Sequence, residues 1–261
     1  MKILLRKLHL YYYLSLTVLV YYFLYPIFYY TSRKPKRYRV LNFFRKINAA
    51  VPLLLSGMLW RIHAEHTLTK DGVYVYCPNH TSFLDSPLLL ILCNGNHHFI
   101  GKEELLKVPV LKLFFKTIDI TVKRESKLSS YRAFKRASEN IENGMSLVIF
   151  PEGGILERYP PQLHHFKNGA FRLAIEKQVP VIPITLANVW ELFFDDGKLY
   201  GSRPGVIDIF VHKPIETIGL TPDDDEMLKN QVYHVINGKI KDYEDRQKRS
   251  RKDSALSPVR R

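Results

Sequence analysis

Apolar positions fall into two regimes along this chain. From Leu8 to Tyr30 no Lys, Arg, Asp or Glu interrupts 23 positions, and about 20 apolar residues suffice to cross a hydrocarbon core. A second apolar stretch, 49–60, is too short to span by itself and carries Pro52 and Gly57. From residue 65 onward the pattern changes to short β-type runs alternating with helical periodicity. The runs are 73–77, 118–122, 147–150, 181–186 and 206–211. Apolar residues at helical spacing mark 82–92, 129–143, 168–177 and 224–245, the second ending on Gly144. Strands alternating with helices predict an α/β domain, a layered one with a mixed or parallel sheet flanked by helices.

Charge sharpens the division. Residues 1–64 hold eleven of the basic side chains and no acid before Glu65, so most of the formal net charge of +14 sits in the first quarter. Basic residues flank both apolar stretches. A span would put the richer flank, Arg33 to Arg39, in the cytoplasm. A shallow hairpin, helix 8–30 with an interfacial helix at about 41–62, would hold both flanks on anionic headgroups. Eight tyrosines between Tyr11 and Tyr30 prefer the headgroup zone, which favours the hairpin. Either arrangement gives an N-terminal membrane-anchoring segment, 1–64, ahead of a domain at 65–245. The last residues, 246–261, carry seven basic side chains against Asp253, lack periodicity and read as a disordered basic tail. The hydrophobic segment amid this charge favours lipid over nucleic acid as partner. Cys77 and Cys93 sit in apolar settings suited to packing in a reducing compartment.

Candidate chemistry gathers where strands end. Asn79-His80-Thr81-Ser82-Phe83-Leu84-Asp85 follows the first run. A histidine oriented by a carboxylate takes a proton from a hydroxyl near neutral pH. A separation of five does not align two side chains on one helix, so the pair meets only if the chain turns between them. Ser82-x-x-Asp85 is also a capping-box pattern, and taken alone the segment reads more readily as a helix cap. Phe150-Pro151-Glu152-Gly153-Gly154 ends another run, with a carboxylate able to accept from ligand hydroxyls and glycines that admit close approach. Lys102 and Arg124 offer cations to an anionic headgroup. The proline-containing strand 179–184 suggests a sheet edge or an acyl-facing wall. The adjacent pairs His97-His98 and His164-His165 do not match metal-ligand spacing, and no Gly-x-Ser-x-Gly elbow surrounds Ser82.

These four segments, in this order over about residues 70–186, resemble the signature blocks of the glycerolipid acyltransferases, the family of the 1-acylglycerol-3-phosphate acyltransferases. The resemblance implies acyl transfer without metal or cofactor. His80, oriented by Asp85, would deprotonate the acceptor hydroxyl of a lysophospholipid, which attacks the thioester of acyl-CoA or acyl carrier protein. Asn79 and nearby amides would position the site or the oxyanion, with Ser82 in the same block. Lys102 and Arg124 would hold phosphate, and Glu152 and Gly153 would contact the glycerol part. The expected location is a membrane, on its cytoplasmic face, such as the bacterial inner membrane. The sequence departs from the family at one point. Members often continue the Phe-Pro-Glu-Gly block with Thr-Arg-Ser, whereas here it runs Gly154-Ile155-Leu156. Either Arg158 or Lys167 supplies the missing charge, or the acceptor is another lysolipid, such as a lyso-aminolipid. A membrane-tethered lipid-binding module without enzymatic activity is the reading from another class.

Overall fold

Side-chain alternation assigns each strand residue to one side of a sheet. Tyr74 and Tyr76 enter one core while Val75 and Cys77 enter the opposite one, as the period of two requires. The computed structural model describes residues 1–69, 71–123, 125–156 and 158–256. Its elements are α1 (Lys2–Thr31), α2 (Tyr38–Leu55), β1 (Met58–Ala64), β2 (Val75–Pro78), α3 (Asp85–Leu92), β3 (His97–Lys102), α4 (Pro109–Lys116), β4 (Ile120–Val122), α5 (Lys127–Glu142), β5 (Ser146–Val148), α6 (Gly169–Lys177), β6 (Val181–Leu186), α7 (Val189–Leu192), β7 (Gly205–Val211) and α8 (Asp225–Leu256). The described strands form a seven-stranded sheet in the order β1-β7-β6-β2-β5-β3-β4. Strands β6, β2, β5, β3 and β4 run parallel; β7 is antiparallel to β6, and β1 runs parallel to β7. The mixed sheet flanked by helices matches the architecture expected from the sequence.

One face of the sheet packs on α2 and α3 through Leu53, Leu84, Leu88 and Leu89. The other packs on α5, α6 and α8 through Ala137, Phe171 and Val232. A third cluster joins the second half of α1 to α2 and α4 through Tyr21, Leu24, Phe28, Leu41 and Phe114. Helix α1 is long and apolar enough to cross a membrane. Even so, Leu10, Tyr13, Tyr21, Leu24 and Phe28 are buried along it, so one stripe lies against the rest of the chain over most of its length. A buried ion pair ties α2 to the sheet. Arg45 meets Asp119 at 2.6 Å, with both side chains almost inaccessible. Asp119 also accepts from the Phe99 N–H, and Arg45 donates to Asn42. Burial pushes the Asp119 carboxyl up, opposed by Arg45.

Four expectations require correction. The helix placed at about 41–62 stops at Leu55, because Gly57 adopts φ +70° and the chain then enters β1. Residues 58–64 thus belong to the sheet, paired with β7 from Met58–Gly205 to Ala64–Val211. Strand β6 is interior, between β7 and β2, despite its prolines. Pro183 faces the point where β7 ends, and its carbonyl still accepts from the His212 N–H at 3.1 Å. The tail is not structureless from 246: α8 continues to Leu256. Arg, Lys and Gln are good helix formers, and Lys248 pairs with Asp245 one turn back at 3.3 Å.

Candidate active site

The loop after β2 wraps around one carboxylate. Asp85, in the first turn of α3 and fully buried, accepts through Oδ2 from the Thr81 N–H at 2.7 Å, the Ser82 N–H at 2.8 Å and His80 Nδ1 at 2.8 Å. Two backbone donors and one ring donor converge on a single oxygen, which is how residues five apart meet. The bond to Asp85 places the His80 proton on Nδ1 and leaves Nε2 as the basic nitrogen. The imidazole remains partly accessible, and the Phe150 ring stacks on its face at 3.9 Å and 18°. Only one half of the capping box anticipated from Ser82 forms, the bond from the Ser82 N–H to the Asp85 carboxylate. Ser82 Oγ accepts from the Leu84 N–H instead, and the helix begins only at Asp85.

His80 opens onto a cavity of about 790 Å³. Polar wall residues gather at the carboxyl ends of the parallel strands and in the loops beyond them: Lys102 as the last residue of β3, Gly153 and Gly154 after β5, Lys167 before α6, and Asp195 after α7. Apolar wall residues come from the helices and β3, among them Leu90, Phe99, Leu111, Phe114 and Phe134. Gly153 has φ +76°, and a side chain there would meet the end of Lys167 at 2.8 Å. The glycine thus lets this lysine lie over the turn.

Other anticipated residues are differently employed. Asn79 is buried and clamps β2 to β6, donating to the Leu186 carbonyl at 3.1 Å and accepting the Leu186 N–H at 2.7 Å; its amide is occupied away from the cavity wall. Glu152 accepts the His80 N–H at 2.7 Å with one oxygen and the His164 N–H at 2.9 Å with the other. It is a backbone clamp under His80 and does not line the large cavity. Desolvation pushes its carboxyl up to about 7, partly offset by these two donors. Ser82 is likewise buried behind the turn. Arg158 is exposed and stands off the cavity wall, whereas Lys167 reaches it. Arg124 lies outside the described residues. Sequence reasoning missed Asp195, whose one local signal is the turn Asp195-Asp196-Gly197. Its position beside the His80 loop follows from tertiary pairing alone.

The family model described as Acyltransferase matches residues 60–187, which contain all four motif segments. Over these residues, just under half of its length, the chain is similar to this acyltransferase family. Among its relatives, an uncharacterised acyltransferase of Schizosaccharomyces pombe is 28% identical over 71% of this chain and 67% of its own. A chloroplastic 1-acyl-sn-glycerol-3-phosphate acyltransferase of Brassica napus is 33% identical over 58% of this chain and 43% of its own. For the human 1-acyl-sn-glycerol-3-phosphate acyltransferase alpha the values are 29%, 70% and 64%. The chain thus spans about two thirds of the yeast relative and less of the other two. The crystal structure of PlsC, the 1-acyl-sn-glycerophosphate acyltransferase of Thermotoga maritima, superposes with a TM-score of 0.76 at 19% identity, covering 93% of this chain and 98% of that one. At this identity the likeness establishes a shared fold.

Proposed function

We propose that the protein transfers a fatty acyl chain from acyl-CoA or acyl carrier protein to the free hydroxyl of a lysophospholipid, foremost 1-acylglycerol 3-phosphate. The observation that carries this reading is the His80–Asp85 pair opening onto a cavity whose loops present Lys102 and Lys167 and whose helices are apolar. His80 Nε2 removes the acceptor's hydroxyl proton as the oxygen attacks the thioester carbonyl. The new C–O bond forms, the C–S bond breaks, and the proton passes from His80 to the departing thiolate. Asp85 holds the ring in the required tautomer and stabilises the transient imidazolium. Lys102 and Lys167 attract the acceptor's phosphate, and the apolar walls receive acyl chains. The activities for which the plant and human relatives are named support the choice of acceptor.

The membrane is the source of both lipids in this reading. Helix α1 turns Leu19 and Phe23, 67% and 80% exposed, away from its buried stripe. A helix bound lengthwise to the body could cross a bilayer only by drawing the body into hydrocarbon, so an interfacial α1–α2 hairpin on the cytoplasmic face fits better than a span. The test is acyl-CoA-dependent conversion of 1-acylglycerol 3-phosphate to phosphatidic acid by protein in lipid vesicles. His80→Ala is expected to lower kcat about 10²–10⁴-fold, the worth of a positioned general base; full activity in this variant would sink the mechanism.

A further inference from the structure

The acyl-transfer reading leaves one group on the cavity wall without a role. Three aspartates line the cavity. Asp119 is paired with Arg45, and Asp196 with Lys198 at 2.6 Å. The Asp195 carboxylate pairs with no side chain among the described residues, although the Asp196 N–H and carboxylate both act on it, and its place is tightly fixed. Its N–H donates to the Thr81 carbonyl at 3.0 Å, and its carbonyl accepts the Phe83 N–H at 2.9 Å. Both partners belong to the loop that carries His80. The backbone adopts φ +50°, a conformation that among residues with side chains Asn and Asp tolerate best. The carboxylate is half-buried, and His80 and Lys102 lie close enough to act on its charge.

A carboxylate here is a poor feature for binding a phosphate monoester alone, which carries nearly two negative charges. The wall beside it combines two cations, Lys102 and Lys167, with this fixed anion and the apolar side chain of Ile155.

Resting on the acyl-transfer reading, we propose that Asp195 is a specificity-determining residue that accepts hydrogen bonds from an ammonium on the acceptor headgroup, so that zwitterionic lysophospholipids are acylated alongside the phosphate monoester. The two lysines take the phosphate of such a molecule, and Asp195 takes its amine. The transfer itself is unchanged: the glycerol hydroxyl gains the acyl group, its proton goes through His80, and the thiol leaves.

Asn replaces Asp at this position without disturbing the two backbone bonds or the left-handed conformation, which makes Asp195→Asn the informative variant. Wild-type protein and Asp195→Asn, in vesicles with oleoyl-CoA, are compared on 1-oleoyl-glycerol 3-phosphate and 1-oleoyl-glycerophosphoethanolamine. The wild type is expected to acylate both. In the variant kcat/KM for the ethanolamine lipid should fall about tenfold, the worth of a charged hydrogen bond, while that for the phosphate monoester rises because a like charge is gone. A parallel fall with both acceptors would mark Asp195 as a mere loop support and overturn the proposal. So would a wild type that uses the monoester and ignores the amine. Turnover of neither acceptor would instead overturn the acyl-transfer reading beneath it.

Discussion

Glu152 and Asn79 show what a polar residue beside His80 can be for. Each is joined to the backbone through both of its polar side-chain atoms, so each fixes geometry instead of meeting a ligand. The distinction is measurable. Glu152→Gln keeps the shape but turns an amide N–H toward one of two backbone donors, leaving a buried group unsatisfied. It should cost about 1–3 kcal/mol of stability and lower kcat with little change in acceptor KM. A selective rise in KM, seen by steady-state kinetics, would mean that Glu152 touches the headgroup after all. Much of the site was legible at this scale: His80 and Asp85 were found from residue type and spacing, and their hydrogen bond is present at 2.8 Å. The employment of Asn79, Ser82 and Glu152 was not, because donors supplied by distant backbone leave no mark on the side-chain sequence. Asp195 escaped for a related reason: it reaches the His80 loop through main-chain bonds that any residue type could make.

Among the elements, those with one clear apolar face were read from periodicity. Helices α5, α6 and most of α8 appear where expected, as do β2, β6 and β7. Strand β3 was missed because it begins with two buried histidines, which look polar in a sequence and are apolar in use. Strand β1 was missed because its apolar residues continue those of α2, and only the turn at Gly57 separates them. Helix α1 divides its surface between body and bilayer in the proposed orientation, and the outer face carries the prediction. Leu19→Lys with Phe23→Lys leaves the buried stripe intact while removing two large apolar contacts with lipid, each worth about 1.5–3 kcal/mol. Co-sedimentation with anionic vesicles should weaken at least tenfold while the circular dichroism spectrum is retained. Undiminished binding would place that face away from the membrane.

Across the whole molecule, buried titratable groups set a pH dependence of stability. Burial lowers His98 from 6.5 to about 3, and His97 well below its ordinary value. The unfolded chain therefore binds protons that the folded one refuses, and stability drops as pH falls below about 6.5, by up to about 1.4 kcal/mol per pH unit for each ring. Glu152, raised from 4.5 to about 7, works in the opposite sense: the fold holds its proton more firmly, and that contribution is lost as pH rises through this window. His212 is lowered by burial like the other two rings, while Asp119 is raised like Glu152 but opposed by Arg45; the three histidines carry the balance, so thermal unfolding scans should show Tm falling between pH 6.5 and 4.5. His98→Leu removes one of the three and should flatten that slope. An unaltered slope would assign the acid sensitivity to other groups.

The pairing of β1 with β7 has a practical consequence for anyone seeking a water-soluble fragment. The strand follows the hairpin after the turn at Ser56 and Gly57, and all seven of its residues are in register with β7. Cutting the chain at residue 65 to discard the greasy N-terminus would also strip the outermost strand, turning β7 into a raw edge whose free N–H and C=O groups invite self-association. A cut just before Met58 would spare the ladder but bare the leucines and tyrosines that α1 and α2 now shield. Detergent, lipid or a replacement for the outer face of α1 is therefore the workable route to a handled protein, and amputation is not.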